Sequence, residues 1–113
     1  ILQTETIYEI DLNIKDDITP FKEFIYNYAK RNKLINIRFI YISLEPKILN
    51  FIENELNSEN NFFLNEEKSL NINEDDMVIF ITTNNPEIKK DLIEVGTKLR
   101  LLGKKLSGIL FIK

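Results

Sequence analysis

The sequence predicts an α/β fold: a single three-layer domain in which a mostly parallel sheet of four or five strands is flanked by helices. One observation is a strand–helix–strand pattern in residues 76–112, because such units are almost always right-handed and parallel. Another is the length of 113 residues with 43% apolar residues, which is enough for one hydrophobic core and too little for two. We expect residues 1–113 to be one α/β domain of a longer chain, since the first residue is not Met.

The strand–helix–strand unit has the clearest secondary-structure pattern in the sequence. Residues 77–82 (MVIFIT) form an apolar run typical of a strand that is buried on both faces. Pro86 is expected to open a helix, Gly103 to stop it, and residues 106–112 (LSGILFI) to form the next strand. The apolar residues of the helix recur at steps of four, three, four and three, which places them on one face. They are Ile88, Leu92, Val95, Leu99 and Leu102.

The N-terminal part predicts a strand and then a helix. Residues 6–12 (TIYEIDL) alternate between apolar and polar side chains, as in a strand at a sheet edge or with one solvated face. Thr19 is a suitable N-cap and Pro20 a suitable first helical residue, and the helix should run to about Asn32. Its inward face is expected to carry Phe21, Phe24, Ile25 and Tyr28.

The middle of the chain predicts a central strand, a helix and an edge strand. Residues 35–43 (INIRFIYIS) become apolar on both sides, so this strand should be central, together with residues 77–82 and 106–112. A second helix should start at Glu45–Pro46, and residues 62–64 could be a short edge strand. For residues 65–75 the sequence pattern does not decide between a short helix and an ordered loop. The expected core includes Phe24, Phe39, Ile79, Ile81, Leu92, Val95, Leu99 and Leu110.

The composition narrows the function classes. The chain has no Cys and no His, so thiolate chemistry and the commonest general base and metal ligand are missing. We therefore lean against an enzyme and expect no catalytic residues, no metal site and no cofactor. The net charge is −3 and basic residues never exceed two in a row, which argues against nucleic-acid binding by this segment. No apolar run approaches a membrane span, and the lack of Cys fits a cytoplasmic protein.

The candidate site lies where two strands lead into helices. In open α/β sheets, ligands bind beyond the carboxyl ends of the strands. The polar side chains there are Ser43, Thr82, Thr83, Asn84 and Asn85. Hydroxyls and amides beside a free helix N-terminus suit an anion such as a phosphate. The plainer alternative is that Asn85 only caps the helix and the two threonines only finish the strand.

The element order also resembles the sugar-isomerase (SIS) type of phosphosugar-binding domain found in bacterial regulators. The matching segments are TPFKEFIYNYAKRN, IRFIYIS, EPKILNFIENELN, FFL, EDDMVIFITTNNPE and the helix through LRLLGKKLSGILFI. Ser43, Thr82 and Thr83 stand in the turns where that family has hydroxyls, but the turn glycines of the family are replaced. The resemblance implies a degenerate, non-catalytic member of a sugar-phosphate-binding family.

Two functional hypotheses follow from the sequence. The first is a non-enzymatic regulatory domain that senses a small anionic metabolite such as a sugar phosphate. The second is a structural or protein–protein interaction module of a larger assembly, as a homo-oligomer or with a partner protein, with no ligand. The second hypothesis rests on aromatic residues that could be exposed, which are Tyr8, Tyr26, Phe62 and Phe63, and on the edge strand at residues 6–12.

Overall fold

The computed structural model describes residues 6–11, 18–57, 59–69 and 71–113. Within these residues the chain alternates between strands and helices, with one short 3-10 helix at Glu67–Ser69. In chain order the elements are β1 (Thr6–Ile10), α1 (Ile18–Arg31), β2 (Asn36–Tyr41), α2 (Pro46–Leu56), β3 (Phe62–Glu66), β4 (Asp76–Thr83), α3 (Ile88–Leu101) and β5 (Gly108–Ile112). Of the segment left open by the sequence, residues 65 and 66 extend β3, and the 3-10 helix follows.

The strands form one sheet in the order β1-β5-β4-β2-β3, and every neighbouring pair is parallel. The predicted central strands β2, β4 and β5 are the interior ones, and β1 and β3 lie at the edges, as expected. The four strands from β2 onward follow the 2-1-3-4 beginning of the flavodoxin-like order. The N-terminal strand β1 takes the fifth place, beside β5.

Helices cover both faces of the sheet, which confirms the three-layer α/β prediction. Alternate residues of each strand point to opposite faces, so each interior strand feeds two cores. On one face, α1 and α2 pack against Ile37, Phe39, Met77, Ile79, Ile81 and Leu110. On the other face, α3 packs against Ile40, Val78, Phe80, Leu106 and Ile109. None of the helices in the described ranges combines the length and apolarity needed to cross a membrane.

A chain of aromatic rings ties the two edges of the sheet together under α1. The ring of Tyr8 lies 5.1 Å from that of Phe21, Phe21 lies 6.3 Å from Phe39, and Phe39 lies 5.5 Å from Phe62. These spacings are within the range of attractive aromatic pairs. The expectation that Tyr8 and Phe62 are exposed is therefore wrong: Phe62 is buried and Tyr8 is half-buried against the core.

The helix termini differ from the sequence prediction in detail. α1 begins at Ile18, so Thr19 and Pro20 lie in its first turn and Thr19 is not the N-cap. α3 begins two residues after Pro86, which lies in a turn. Its C-terminus is as predicted: Gly103 has a φ of +72°, and the amides of Gly103 and Lys104 donate to the carbonyls of Arg100 and Leu99. This is a Schellman motif, which requires a residue in the left-handed conformation. Glycine adopts that conformation without a steric cost because it has no Cβ.

The predicted core is correct for six of its eight residues, because Phe24 and Leu92 are only half-buried. The assignment of Leu102 to the inward stripe of α3 is also wrong, since Leu102 lies at the helix C-cap with 55% of its surface exposed. The apolar stripe of α3 is thus narrower than its spacing suggested, and Val95 and Leu99 are its buried centre.

A buried ion pair fixes the start of β4. Arg38 Nε donates to Asp76 Oδ2 at 3.2 Å, and the side chain of Asp76 is fully shielded from solvent. The Arg38 guanidinium also donates to Asn65 Oδ1 at 2.9 Å and lies 4.9 Å from the ring centre of Phe63. These contacts join β2, β3 and β4 on the α3 face, and they hold Phe63 against the sheet although 39% of its surface is exposed.

We predict that Leu99→Ala lowers the free energy of unfolding by about 2–5 kcal/mol, because Leu99 is fully buried and the truncation leaves a cavity. Leu92→Ala should cost less, since this residue is half-buried. Ile93→Ala is the matched control on the same helix, with 55% of the isoleucine exposed, and should cost clearly less than Leu99→Ala. Urea unfolding measures all three, and equal losses for Leu99 and Ile93 would contradict the packing of α3.

We predict that Arg38→Met lowers the free energy of unfolding by about 3–5 kcal/mol, because it leaves the buried Asp76 carboxylate without its counter-ion. Adding Asp76→Leu should restore much of the loss. Lys90→Met is the control, since Lys90 and Glu87 form an ion pair 3.9 Å apart that is mostly exposed. The control should change stability by less than about 0.5 kcal/mol. A double variant no more stable than Arg38→Met would overturn this account.

Candidate functional site

The topology places a crevice at the carboxyl ends of β2 and β4. From β2 the chain leaves through α2 on one face toward β3, and from β4 it leaves through α3 on the opposite face toward β5. Because the two connections diverge, the loops after β2 and β4 separate from each other. Such a point of divergence is where open parallel sheets bind ligands.

A cavity of about 600 Å³ occupies this crevice. Its volume is within the range of about 300–1,000 Å³ that is usual for small-molecule sites. The cavity is bounded by the β2–α2 loop, the β4–α3 loop and the first two turns of α3. Its lining residues are Ile42, Ser43, Glu45, Thr83, Asn85, Pro86, Glu87, Lys90, Asp91 and Glu94. We call it the switch-point cavity.

The structure brings three of the five predicted site residues together. Ser43, Thr83 and Asn85 line the switch-point cavity, although Ser43 is 40 positions or more from the other two in the sequence. Thr82 does not line it: the side chain is buried, and its hydroxyl donates to the carbonyl of Thr83 at 3.2 Å. Asn84 is exposed and also lies outside the lining.

The Asn85 side chain is engaged with the backbone of its own turn. Its Nδ2 donates to the carbonyl of Thr83 at 2.9 Å, and its Oδ1 accepts from the amide of Glu87 at 2.9 Å. An asparagine that bonds to the backbone two residues on organises a turn. The plainer alternative from the sequence, in which Asn85 caps the helix, is wrong in that form: the N-cap of α3 is Glu87, without a side-chain cap hydrogen bond, and Asn85 instead braces the turn before it. The hydroxyls of Ser43 and Thr83 are the lining groups better placed to meet a ligand.

The charge around the cavity is negative, which the sequence interpretation missed. Four carboxylates and one ammonium line it, giving a formal charge of −3; they are Glu45, Glu87, Asp91, Glu94 and Lys90. A helix N-terminus contributes only about half a positive charge, so the carboxylates dominate the local potential. The acidic flank of α3 could have been predicted from the sequence, because Glu87, Asp91 and Glu94 are spaced four and three residues apart and therefore share one side of the helix.

The electrostatics of the cavity act on Asp91. Burial raises the pKa of Asp91 above its ordinary value of 3.8, and the neighbouring carboxylates of Glu94 and Glu87 raise it further. Lys90 opposes this effect and lowers the pKa, but it is the weakest of the four influences. The cavity therefore resists the addition of negative charge and favours a proton or a cation.

The described part of the chain contains no group of three His, Cys, Asp or Glu residues placed to hold a metal ion. Another cavity, of about 630 Å³, lies between α1 and the residues that lead into β3, where Tyr26 is 51% exposed. It is slightly larger than the switch-point cavity and shares no lining residue with it. Its lining residues are Thr19, Lys22, Glu23, Tyr26, Asn27, Glu59 and Phe62.

Comparisons of this chain with protein-family models, with curated proteins and with solved structures gave no match. The fold and the position of the cavity define the class to which the domain is assigned: a doubly wound α/β domain with a crevice at its topological switch point. The similarity to the SIS type of domain stays a prediction from the element order.

We predict that Asp91→Asn raises the melting temperature at pH 7 and has little effect at pH 3. A raised pKa means that the native state is favoured when Asp91 is protonated, and that this advantage is lost as the pH rises through the native pKa. At neutral pH the wild type bears the cost of a charge that Asn does not carry, whereas below 3.8 the two proteins converge. Glu23→Gln removes an exposed carboxylate from α1 and is the control. A gain that persists unchanged at pH 3, or a loss at pH 7, would contradict the assignment.

Proposed function

We propose that this domain is a non-enzymatic binding module that holds a small, hydroxyl-rich metabolite with an ammonium group, such as an amino sugar, in the switch-point cavity. The observation that carries this proposal is the convergence of Ser43 and Thr83 with four carboxylates on one cavity. The hydroxyls suit the hydroxyl groups of a sugar, and the carboxylates suit a cation, since a charge-assisted hydrogen bond is about twice as strong as a neutral one.

The proposal keeps the binding role expected from the sequence but changes the preferred charge of the ligand. A sugar phosphate would bring two negative charges toward a rim with a formal charge of −3. Burial and then the neighbouring carboxylates of Glu94 and Glu87 already raise the pKa of Asp91, and another anion would add to the repulsion from those carboxylates. An anionic metabolite, as the SIS resemblance implies, stays a prediction that the same experiment tests.

A role in binding rather than catalysis is supported by the chemistry of the lining. The chain has no His and no Cys, and the ionisable groups of the cavity are carboxylates and one lysine. General acid–base catalysis usually requires two groups whose pKa values are separated by their environments. At the cavity, burial raises the pKa of Asp91 and the neighbouring carboxylates raise it further, which is the effect of a crowded acidic rim and does not by itself make an acid–base pair.

We predict that glucosamine or a diamine such as putrescine raises the melting temperature of the domain, whereas glucose 6-phosphate does not. At 100 times its dissociation constant a ligand adds about 2.7 kcal/mol of stability. Thr83→Val keeps the side-chain shape but removes the hydroxyl, and Glu94→Gln removes one negative charge; each should weaken binding. Thr97→Val, an exposed position on α3, is the matched control and should bind as the wild type does.

The outcomes of this thermal-shift series are distinct. A stabilising effect of glucose 6-phosphate that disappears in Thr83→Val would restore the anionic ligand. A stabilising effect of glucosamine that is unchanged in both Thr83→Val and Glu94→Gln would place the binding site elsewhere, for example in the cavity beside α1. No effect of either ligand class would refute the proposal as stated.

The interaction module is the second candidate function, and a different observation favours it. Leu101 and Leu102 at the end of α3 have 82% and 55% of their surfaces exposed. Two adjacent exposed leucines are a more specific sign of a partner than the aromatic residues expected from the sequence, of which Tyr26 is the most exposed.

A further inference from the structure

The flank of α3 that faces β2 and β3 has opposite character at its two ends. Glu87, Glu94, Lys98 and Leu101 are separated by seven, four and three residues, which places all four on one side of a helix. The structure agrees, because Glu87 and Glu94 line the switch-point cavity, and Lys98 and Leu101 line a second cavity along the same flank.

The second cavity lies at the C-terminal end of α3 and has a volume of about 280 Å³. Its lining residues are Glu67, Lys68, Lys98, Leu101 and Leu102. The Glu67 carboxylate is buried and forms an ion pair with Lys98, so it adds no free negative charge to this surface. With the exposed Lys105 just beyond the helix, this end of α3 is basic around two exposed leucines.

We propose that this flank is a homodimer surface, on which two copies of the chain pair with their α3 helices antiparallel about a two-fold axis that passes between Glu94 and Lys98. An antiparallel arrangement places Glu94 of one copy beside Lys98 of its partner, and it brings Glu87 toward the C-terminal end of the partner's helix, which Lys105 follows. The apolar, basic end of each helix then covers the mouth of the other copy's switch-point cavity. A two-fold axis forms both contacts at once, which is the usual closed symmetry of soluble dimers.

Charge complementarity selects a second copy as the occupant. The acidic rim of the switch-point cavity has a formal charge of −3, and the basic end presents the exposed Lys68 and Lys105 beside the Lys98–Glu67 ion pair. One chain therefore carries both the acidic surface and the basic surface that complements it. An isologous interface requires such a self-complementary patch. Lys90 is the exception to the pattern; it is already counted in the −3 charge of the rim, and its 3.9 Å ion pair with Glu87 is mostly exposed, so Glu87 stays accessible to a partner.

This inference develops the interaction role and does not require the ligand of the switch-point cavity. The two proposals share carboxylates, so a cationic ligand and the partner's basic end should compete. Their failures can be distinguished, because dimerisation is measured with no ligand added and ligand binding is measured at protein concentrations below the dimer dissociation constant.

Sedimentation equilibrium over a concentration series at low salt tests the dimer. The wild type should dimerise, and more weakly as salt screens the ion pairs over a Debye length of about 10 Å at 0.1 M. Leu101→Glu should raise the dimer dissociation constant at least tenfold, because it brings a carboxylate against the acidic rim. Ile93→Glu is the matched control: it adds the same charge at another exposed position, on the opposite flank of α3, and should dimerise as the wild type does.

A charge-swap experiment tests the antiparallel contact itself. One variant carries Glu87→Lys and the other carries Lys105→Glu, so the two variants reverse opposite sides of the same contact. Each should be monomeric alone because like charges meet across the axis, and a mixture of the two should form heterodimers. Circular dichroism of each variant checks that it is folded before it is mixed.

Several results would overturn the proposal. A wild type that stays monomeric up to about 1 mM, a concentration that corresponds to a binding free energy of only about −4 kcal/mol, would refute it. Equal effects of Leu101→Glu and Ile93→Glu would place the contact elsewhere, and a mixture of folded charge-swap variants that stays monomeric would refute the antiparallel pairing. Binding of monomers to vesicles containing phosphatidylserine, abolished by Leu101→Glu, would assign the leucines to a membrane surface instead.

Discussion

The burial of β4 on both faces is the constraint on which the rest of the domain depends. Seven of its eight residues are buried, and they alternate between the core under α1 and α2 and the core under α3. A strand of this kind needs a helical layer on each side, and parallel neighbours linked by crossovers supply both layers. Polar groups can then be tolerated only at its ends, where Asp76 is paired with Arg38 and Thr83 opens onto the cavity.

The same constraint creates the cavity. The helix after β2 and the helix after β4 must cover different faces, so the loops at the carboxyl ends of these adjacent strands diverge. The crevice is a consequence of doubly wound topology and does not need a glycine-rich loop. What the topology does not determine is the charge of the crevice, which comes from α3 and from Glu45 before α2. Here those side chains make it acidic.

Hydrophobic periodicity predicted the number, kind and approximate bounds of the elements, because each buried segment is patterned by its own local geometry. Its errors have a shared physical origin. Leu92, Leu102 and Phe62 were assigned by spacing or by their neighbours in sequence, yet their exposure depends on which elements lie beside them. Phe62 is buried because β3 lies beside β2 and its ring meets Phe39. Leu102 is exposed because α3 ends there. The pairing of β1 with β5 likewise depends on residues far apart in the sequence, so the local pattern of either strand does not predict it.

The candidate site shows the same division on a smaller scale. Consecutive strand residues point to opposite faces, so a shift of one residue separates Thr83, which lines the cavity, from Thr82, which is buried on the α3 side. The sequence marked both threonines as candidates because strand ends cannot be located to one residue by composition. The acidic flank of α3 was present as a four-and-three spacing, but its meaning depends on Glu45 from a loop 42 residues earlier than Glu87. Only the fold brings these carboxylates to one cavity, and their common charge turns a polar strand end into a surface that favours cations.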